Sequence, residues 1–452
     1  MPRTLILDCN DKIGEEVTIC GWVYTRRDHG KILFLDVLDR SGLIQVVVSQ
    51  QTKSTSKESK PTFEVGSLHP QDVVCITGKV NKRPENLVNK NIPTGEIEIA
   101  AENIEVLSKA EELPFDMGGK DLDLQLPTLL DWRALTLRHP KVKAIFKVQE
   151  VVIDAFRESL KKKDFTEFQS PVIIPQAAEG GAEVFEIKYF DHKAYLAQSP
   201  QFYKQILVGV YERVFTVNKT LRAEPSVTTR HLTEVTTLDA EFGFIESWQD
   251  LMDEAEHVIK YIFDRLEKEC ANELKLYGVT IPKVANKIPR VKMRDAQKII
   301  FKRTEVDHRN EPDLSPDDEK EICRWAMEEH ESELIFVTHY PTQKRPFYTF
   351  PDPEDPEYTL SFDLIGKGVE WLTGGQRIND LNHLSENAKK RGIDLEKSEL
   401  YLQAFKYGMP PEGGWSFGSE RITQGVLGLS NIREASLFPR DMERVDIRLS
   451  QK

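Results

Sequence analysis

Cysteine is sparse in this chain and scattered along it. Cys9, Cys20, Cys75, Cys270 and Cys323 are odd in number and form no CxxC pair, which argues against both a disulfide framework and a zinc site. All five read as reduced, structural thiols. Long apolar runs are missing as well: none reaches membrane-spanning length, and the opening MPRTLILDCNDK has no signal-peptide core. A cytoplasmic protein with no membrane partner is expected. Excess positive charge is also lacking, with 61 Lys+Arg against 74 Asp+Glu and a net charge of -13. The deficit is uneven, because residues 1–100 hold 13 of each sign and are neutral. Structured RNA is not excluded as a partner: an acidic protein can still line one surface with its basic residues, and such binding weakens steeply with salt. At 452 residues there is room for several domains and a large core.

Short β-type runs fill residues 1–107: VTICGWVYT, ILFLDVLD, LIQVVVSQ, VVCITGKV and EIEIAAENIEVL, parted by turn signals such as Arg27-Asp28-His29-Gly30. Five strands at this spacing suggest a small OB-type barrel. The polar stretch QQTKSTSKESK, residues 50–60, reads as a surface loop. Arg26, Arg27, Phe34 and Gln45 make a candidate platform on which an aromatic stacks a base while polar groups read its edge. An isolated aromatic in an apolar strand is more often an ordinary core residue. Residues 108–138 mix Pro, Gly and charge with little periodicity and read as a linker or hinge.

A long helix is expected from Pro140 to Lys162, with Val142, Ile145, Val148, Val152 and Phe156 on its apolar stripe and lysines at its negative pole. The loop QAAEGGAE, residues 176–183, has adjacent glycines and reads as a lid carrying Glu179. In Gln198-Ser199-Pro200-Gln201-Phe202-Tyr203-Lys204 the chain passes from a strand into a helix. Lys204 sits near the positive pole of that helix, a broken local rule of the kind found at functional sites. A further helix over Gln249–Leu274 and another near Asp317–Glu331 read as support and insertion, with no chemistry of their own.

Three stretches carry chemistry. Val214–Phe244 reads as a hairpin: Leu232, Leu238, Ala240, Phe242 and Phe244 share one parity and form a core face, while Val235, Thr237, Asp239 and Glu241 share the other. Arg222, Glu224, Arg230 and His231 crowd its loop end, a layout for a ligand with phosphates at one end and an amine at the other. A half-solvated antiparallel hairpin has the same pattern. Thr359–Arg377 is a second hairpin turning at Gly366-Lys367-Gly368, with Asp363 and Glu370 on its arms. Glu370 and Thr373 are hard oxygen donors suited to Mg²⁺ held partly by phosphates; pairing within the sheet explains the carboxylates equally well. The third stretch, Gly413 to Arg421, lets a backbone approach a flat ring and puts Arg421 in a helix's first turn, within reach of a terminal phosphate. It lacks GK[ST] and is not a Walker A loop.

In order and spacing, these pieces resemble the class II aminoacyl-tRNA synthetases, subclass IIb, and within it the short archaeal and eukaryotic form of the aspartyl-tRNA synthetases. The resemblance covers nearly the whole chain. Motif 1 is the long helix and the strand ending at Pro171, motif 2 the Arg222-Ala223-Glu224 hairpin with Arg230-His231-Leu232-Thr233-Glu234, and motif 3 the Gly414–Arg421 segment. The fold implied is α+β: an N-terminal OB-fold anticodon-binding barrel (1–107), a linker (108–138), and a class II catalytic domain (139–452) with an antiparallel sheet flanked by helices. The resemblance implies ATP and Mg²⁺ as cofactors, L-aspartate and tRNA(Asp) as substrates, and a homodimer formed through motif 1.

Roles follow residue by residue from the resemblance. Arg222 would hold the α-phosphate, Glu224 the adenine amino group, His231 the outer phosphates, and Arg421 the γ-phosphate while stacking on adenine. Arg222 and Arg421 are thus catalytic through charge alone, and Arg230 and Leu232 lie on the same nucleotide side. Glu370 and Thr373 would bind Mg²⁺. Asp239, Gln201 and Glu179 would take the substrate ammonium, with Ser199 and Thr373 nearby, and Lys204 with Arg377 would clamp its side-chain carboxylate. Arg26, Arg27, His29, Phe34 and Gln45 would meet the anticodon. The sequence departs from the family pattern at Val235, where many relatives carry a phenylalanine under adenine, and at Ser416, where they carry glycine. Glu241 receives no role.

The expected activity is ATP-dependent attachment of aspartate to tRNA through aspartyl-adenylate. An asparaginyl-tRNA synthetase is the alternative, disfavoured by Lys204, since that family typically has no cation there. A catalytically silent RNA-binding paralogue is disfavoured by the intact Arg222, Glu224, Glu370 and Arg421. His29 stands where relaxed relatives often carry histidine, which points to a non-discriminating enzyme that also charges tRNA(Asn); an ordinary exposed loop histidine is the competing reading.

Overall fold

The computed structural model describes residues 2–449 apart from 31, 50, 57–66, 177–183, 226–227, 394 and 396–397. The chain forms two units, Met1–Asp123 and Leu124–Lys452.

In the first unit, burial with period two builds a barrel. Strands β1 (Glu16–Asp28), β2 (Ile32–Leu38), β3 (Leu43–Ser49), β4 (Lys53–Ser56), β5 (Val73–Lys82) and β6 (Ile97–Ser108) lie in the order β3-β2-β1-β5-β6-β4. A further β3–β6 pairing closes the five long strands on themselves, as the OB-type reading requires. Leu33, Leu35 and Val37 of β2 and Ile44, Val46 and Val48 of β3 fill the interior. Phe34 and Asp36 alternate with them and face outward, so Phe34 is not a core residue.

Two expectations for this unit are corrected. Residues 53–56 of the anticipated surface loop form β4, parallel to β6, because a polar edge strand carries no hydrophobic alternation to announce it. Cys20 and Cys75 are joined in a disulfide, so the five thiols are not all reduced. Sequence spacing hides this pair: the antiparallel register of β1 on β5 sets residues 55 apart directly opposite each other, with Cα atoms 4.1 Å apart. Cys9, Cys270 and Cys323 are free and buried.

The second unit begins inside the stretch expected to be a linker. Helices α1 (Leu126–Asp131) and α2 (Arg133–Thr136) are too short to show a helical period, yet Arg133 is buried and donates to the carbonyls of Glu434, Ser436 and Leu437 at 2.6–3.0 Å. The long helix α3 (Pro140–Lys161) follows, capped by His139, whose side chain accepts from the Lys141 amide, with Pro140 in the first turn where its missing N–H costs nothing. Then come α4 (Gln201–Tyr211), α5 (Gln249–Glu269), α6 (Ala271–Tyr277), α7 (Met293–Thr304), α8 (Pro316–His330), α9 (Leu381–Lys390), α10 (Glu399–Lys406) and α11 (Ser419–Leu427). The single helix expected over Gln249–Leu274 breaks at Cys270, whose φ of -119° and ψ of 24° leave the helical range.

Strands β7 (Thr166–Glu167), β11 (Arg213–Leu221), β12 (Glu234–Gly243), β13 (Arg290–Lys292), β14 (Leu334–Thr338), β15 (Ser361–Gly366), β16 (Val369–Gln376) and β17 (Glu412–Gly418) form one largely antiparallel sheet. Its order is β13-β14-β15-β16-β17-β12-β11-β7. A small sheet of β8 (Ile173–Ile174), β9 (Glu186–Tyr189) and β10 (His192–Leu196) lies apart. Helices α3, α5 and α11 cover one face of the large sheet through Val152, Phe156, Ile259, Ile422 and Val426, which meet Leu238, Ala240, Trp415 and Phe417 in one core. The other face carries the polar parity of β12, and its far end is buried: Asp239 and Glu241 are 1% and 0% exposed. The half-solvated reading of the hairpin therefore fails at these two residues. Phe244, expected on the core face, lies one residue past β12 at a φ of 56° and is 66% exposed.

Candidate active site

The polar face of the large sheet opens into a cleft of about 840 Å³. Ser199, Gln201, Lys204, Arg222, Glu224, Arg230, His231, Leu232, Asp239, Glu370, Thr373, Arg377 and Arg421 all line it, so every described candidate for nucleotide and amino acid falls in one place. Glu179 lies outside the described residues.

At one end the floor is a network of buried charge. Lys204 in the first turns of α4 is 1% exposed, and its Nζ lies 3.0 Å from Asp239 Oδ1 and 3.1 Å from Glu241 Oε2. This explains a cation at the positive pole of a helix: two carboxylates on β12 outweigh the dipole. Arg377, just past β16, donates through Nε to Glu241 Oε1 at 2.8 Å and through Nη2 to the Gly414 carbonyl at 3.2 Å. Gln201 donates to the same Glu241 oxygen at 3.1 Å. Burial opposes ionisation of Glu241, but Arg377 and Lys204 prevail and hold its carboxyl below the usual range. Lys204 is likewise raised despite burial, by Asp239 and Glu241. Glu241, which the sequence left without a role, is thus the anion that orients both cations. Asp239 Oδ2 is buried with no hydrogen-bond partner, an acceptor left over in this network.

Gly414 makes this geometry possible. A Cβ there would stand 2.1 Å from the Ala240 carbonyl and 2.2 Å from Glu241 Oε2. The carboxylate occupies the space a side chain would need.

At the other end of the cleft a second group of charges gathers. Arg222 and Glu224 are 3.8 Å apart, and His231 Nε2 lies 3.9 Å from Glu224. Burial lowers His231 below its ordinary value, the three arginines Arg421, Arg222 and Arg230 add to that, and Glu224 opposes. Arg421 in the first turn of α11 donates to both the carbonyl and the carboxylate of Glu370, at 2.9 and 3.0 Å. Glu370 and Thr373 have opposite parity along β16, yet both reach the cleft, because the register slips between Leu364 and Ile365 and leaves Trp371 as an extra residue. The Trp371 indole packs inward against Gly366 and Gly425, where a Cβ would stand 2.8 and 2.2 Å from the ring. Val235 and Ser416, the two departures from the family pattern, also line the cleft.

Several residues of the site were not legible beforehand. Arg345, from the irregular segment before β15, pairs with Asp363 at 2.7 Å and donates to Thr373 Oγ1 at 2.9 Å. Glu319 of α8 binds Arg230 at 2.5 Å, while Arg230 also donates to the Gly368 carbonyl at 3.0 Å. Burial, with help from Glu370, pushes Glu319 up to about 7 against the pull of Arg230. The region read as chemically silent therefore reaches the nucleotide end. No local signal marks either contact, since each spans a long sequence separation.

On the barrel, Arg27 pairs with Asp36 at 3.0 Å and donates to Gln45 at 3.2 Å, and Gln45 donates to Glu98 at 2.9 Å. His29 meets Phe34 edge-on at 5.5 Å, and Arg26 pairs with Asp28 at 3.1 Å. The five anticipated barrel residues thus share the outer surface of β1–β3 and their turns, with carboxylates interleaved.

Fold and cleft define a class II aminoacyl-tRNA synthetase with an OB-fold domain. The family described as "tRNA synthetases class II (D, K and N)" matches residues 125–442, "OB-fold nucleic acid binding domain" matches residues 17–107, and the chain belongs to that synthetase family. It is 40% identical over 437 residues to the aspartate–tRNA(Asp/Asn) ligase of Aeropyrum pernix, covering 96% of both chains. It is 38% identical to the aspartate–tRNA(Asp) ligase of Pyrococcus abyssi, again over 96% of each. The solved asparaginyl-tRNA synthetase of Pyrococcus horikoshii, complexed with asparaginyl-adenylate, superposes with a TM-score of 0.86 at 32% identity, covering 96% of this chain and 97% of that one.

Proposed function

We propose that this ligase joins L-aspartate to tRNA(Asp) at the expense of ATP. The observation that carries the choice of amino acid is the buried pair Lys204 and Arg377 at the closed end of the cleft. Two cations in a dry pocket favour a side-chain carboxylate over the neutral amide of asparagine. Asp239, with its unpartnered Oδ2, takes the substrate ammonium, and Gln201 and Ser199 stand beside it.

Chemistry then needs placement and charge, with no protein nucleophile. The α-carboxylate of aspartate attacks the α-phosphorus of ATP, forming the mixed anhydride and expelling pyrophosphate. Arg222 neutralises charge that builds on the α-phosphate, and Arg421 and His231 hold the leaving phosphates. A hydroxyl of the terminal ribose of the tRNA attacks the acyl carbon next, and AMP departs with the electrons of the broken anhydride bond. Glu370 and Thr373 offer hard oxygens to Mg²⁺, which would supply further charge neutralisation to the phosphates.

The tRNA(Asn) question rests on His29, which packs on Phe34 at the barrel surface where an anticodon base would stack. We read the enzyme as non-discriminating. A homodimer fits the exposed apolar groups of the second unit: Phe438, Met442, Val445 and Ile447 are 52–54% exposed. A cytoplasmic location suits a reaction that needs ATP and tRNA together.

Pyrophosphate exchange with purified protein tests the central reading. Exchange driven by aspartate and not asparagine is expected; exchange with asparagine alone overturns it. Charging of tRNA(Asn) transcript with aspartate is expected, and absence of product rejects relaxed tRNA choice while leaving the amino acid assignment intact.

A further inference from the structure

Beneath the aspartate end of the cleft lies a third carboxyl group that the reaction does not use. Glu412 opens β17, and alternation along that strand puts Glu412, Gly414 and Ser416 on the cleft side of the sheet, opposite Gly243, Glu241 and Asp239 of β12. Glu412 is 0% exposed. Its Oε1 accepts from Gln205 Nε2 at 2.6 Å, and its Oε2 is buried with no hydrogen-bond partner. The amide of Gln205 is turned toward Glu412 by Tyr401, whose hydroxyl donates to Gln205 Oε1 at 3.0 Å. Only a neutral donor therefore reaches this carboxyl.

The charged groups that face it are already matched. Lys204 of α4 is engaged by Asp239 and Glu241 of β12, and the Arg377 guanidinium is engaged by Glu241. Arg377 meets Glu412 through its backbone, donating its amide to the Glu412 carbonyl at 2.9 Å. Two cations and two carboxylates are balanced before Glu412 is counted. A third anion in this dry volume would have one neutral donor and a neighbouring carboxylate, an arrangement strongly disfavoured. Burial first and Glu241 second push its carboxyl well above the ordinary value, against Gln205, Arg377 and Lys204.

We propose that Glu412 works as a neutral carboxylic acid, a positioning residue that fixes Gln205 and α4 without adding a further negative charge beside Lys204 and Arg377, where the substrate carboxylate is to sit. This rests on the aspartate reading of the cleft. An ionised Glu412 would instead oppose the incoming carboxylate and erode the preference for aspartate over asparagine.

The test compares Glu412→Leu with Glu412→Gln in the full chain, by pyrophosphate exchange. Glu412→Leu leaves Gln205 without its acceptor and is expected to raise the aspartate KM about tenfold with the ATP KM unchanged. Glu412→Gln, which copies the neutral acid in shape and hydrogen bonding, is expected to restore the aspartate KM to within about threefold and to keep asparagine inactive. The infrared difference spectrum between wild type and Glu412→Gln should contain the carbonyl band of a protonated carboxylic acid at neutral pH. A Gln variant as impaired as the Leu variant, or a missing band, overturns the neutral acid. A Leu variant like wild type, or one weakened equally toward ATP, overturns the positioning role. Wild-type exchange with aspartate is the control: its absence would fault the reading of the cleft and not Glu412.

Discussion

Lys204 is held by two carboxylates and sealed from water, so its removal has two separable effects. Lys204→Met should abolish detectable exchange with aspartate while ATP still binds, measured by calorimetry with ATP and Mg²⁺ but no amino acid. It should also lower stability, since it strands Asp239 and leaves Glu241 to Arg377 and Gln201, a loss of ~3–5 kcal/mol seen when one partner of a buried pair is removed. Normal aspartate kinetics in this variant would take Lys204 out of the site. Glu319 gives a pH effect of defined sign. As an acid raised from 4.5 to about 7, it favours the folded state at low pH, and that contribution fades as pH rises through this window. In the same window an ionised Glu319 grips Arg230 and a protonated one releases it toward phosphate. The ATP KM should therefore fall between about pH 8 and about pH 6 in wild type, and this slope should flatten in Glu319→Gln. Identical profiles would separate Glu319 from nucleotide binding. Lys204 was legible because it breaks a rule within its own helix. Glu319 and Arg345 were not, because an acid on an acidic helix and an arginine in an irregular segment break none.

The paired strands β12 and β17 hold the amino acid end together by close approach of backbone to carboxylate. Gly414→Ala would drive a methyl into the Ala240 carbonyl and Glu241, so a reduced melting temperature and lost aspartate exchange are expected. Retention of both would mean that the strands can part at no cost. In the barrel, the Cys20–Cys75 bond ties β1 to β5 across 55 residues. Reduction should lower the melting temperature of the barrel, since closing a loop of this size is worth ~2–4 kcal/mol, while aspartate exchange in the other unit is retained. A melting curve indifferent to reductant would deny the bond a stabilising role. Elements with a sustained period could be read from the chain: the barrel strands at period two, and α3 at 3.6. Those with too few residues to show a period, α1, α2 and β4, could not. The slip at Trp371 escaped for a related reason, since parity arguments assume an unbroken ladder and this one gains a residue.

For the molecule as a whole, charge must be sorted by surface rather than by sum. A protein of net charge -13 that binds tRNA does so through local basic groups, so the tRNA KM in aminoacylation should climb steeply between about 50 and about 200 mM salt. Exchange with aspartate and ATP takes place within the cleft and should change far less over that range; equal sensitivity would argue against a separate RNA surface. Both units, their order and the grouping of the site around the hairpin were accessible from sequence, because the motifs lie on strands that one sheet brings side by side. The corrections arose where residues distant along the chain meet. One such meeting shapes how the enzyme must work. Glu370 is clasped by Arg421, and Thr373 and Asp363 by Arg345. On the proposed reading Arg421 would pass from Glu370 to phosphate while Glu370 and Thr373 would turn to Mg²⁺, an exchange of partners. Either exchange alone would strand a group, so on that reading nucleotide and metal should each bind poorly without the other, and the arginine grip would double as a gate against incomplete cargo.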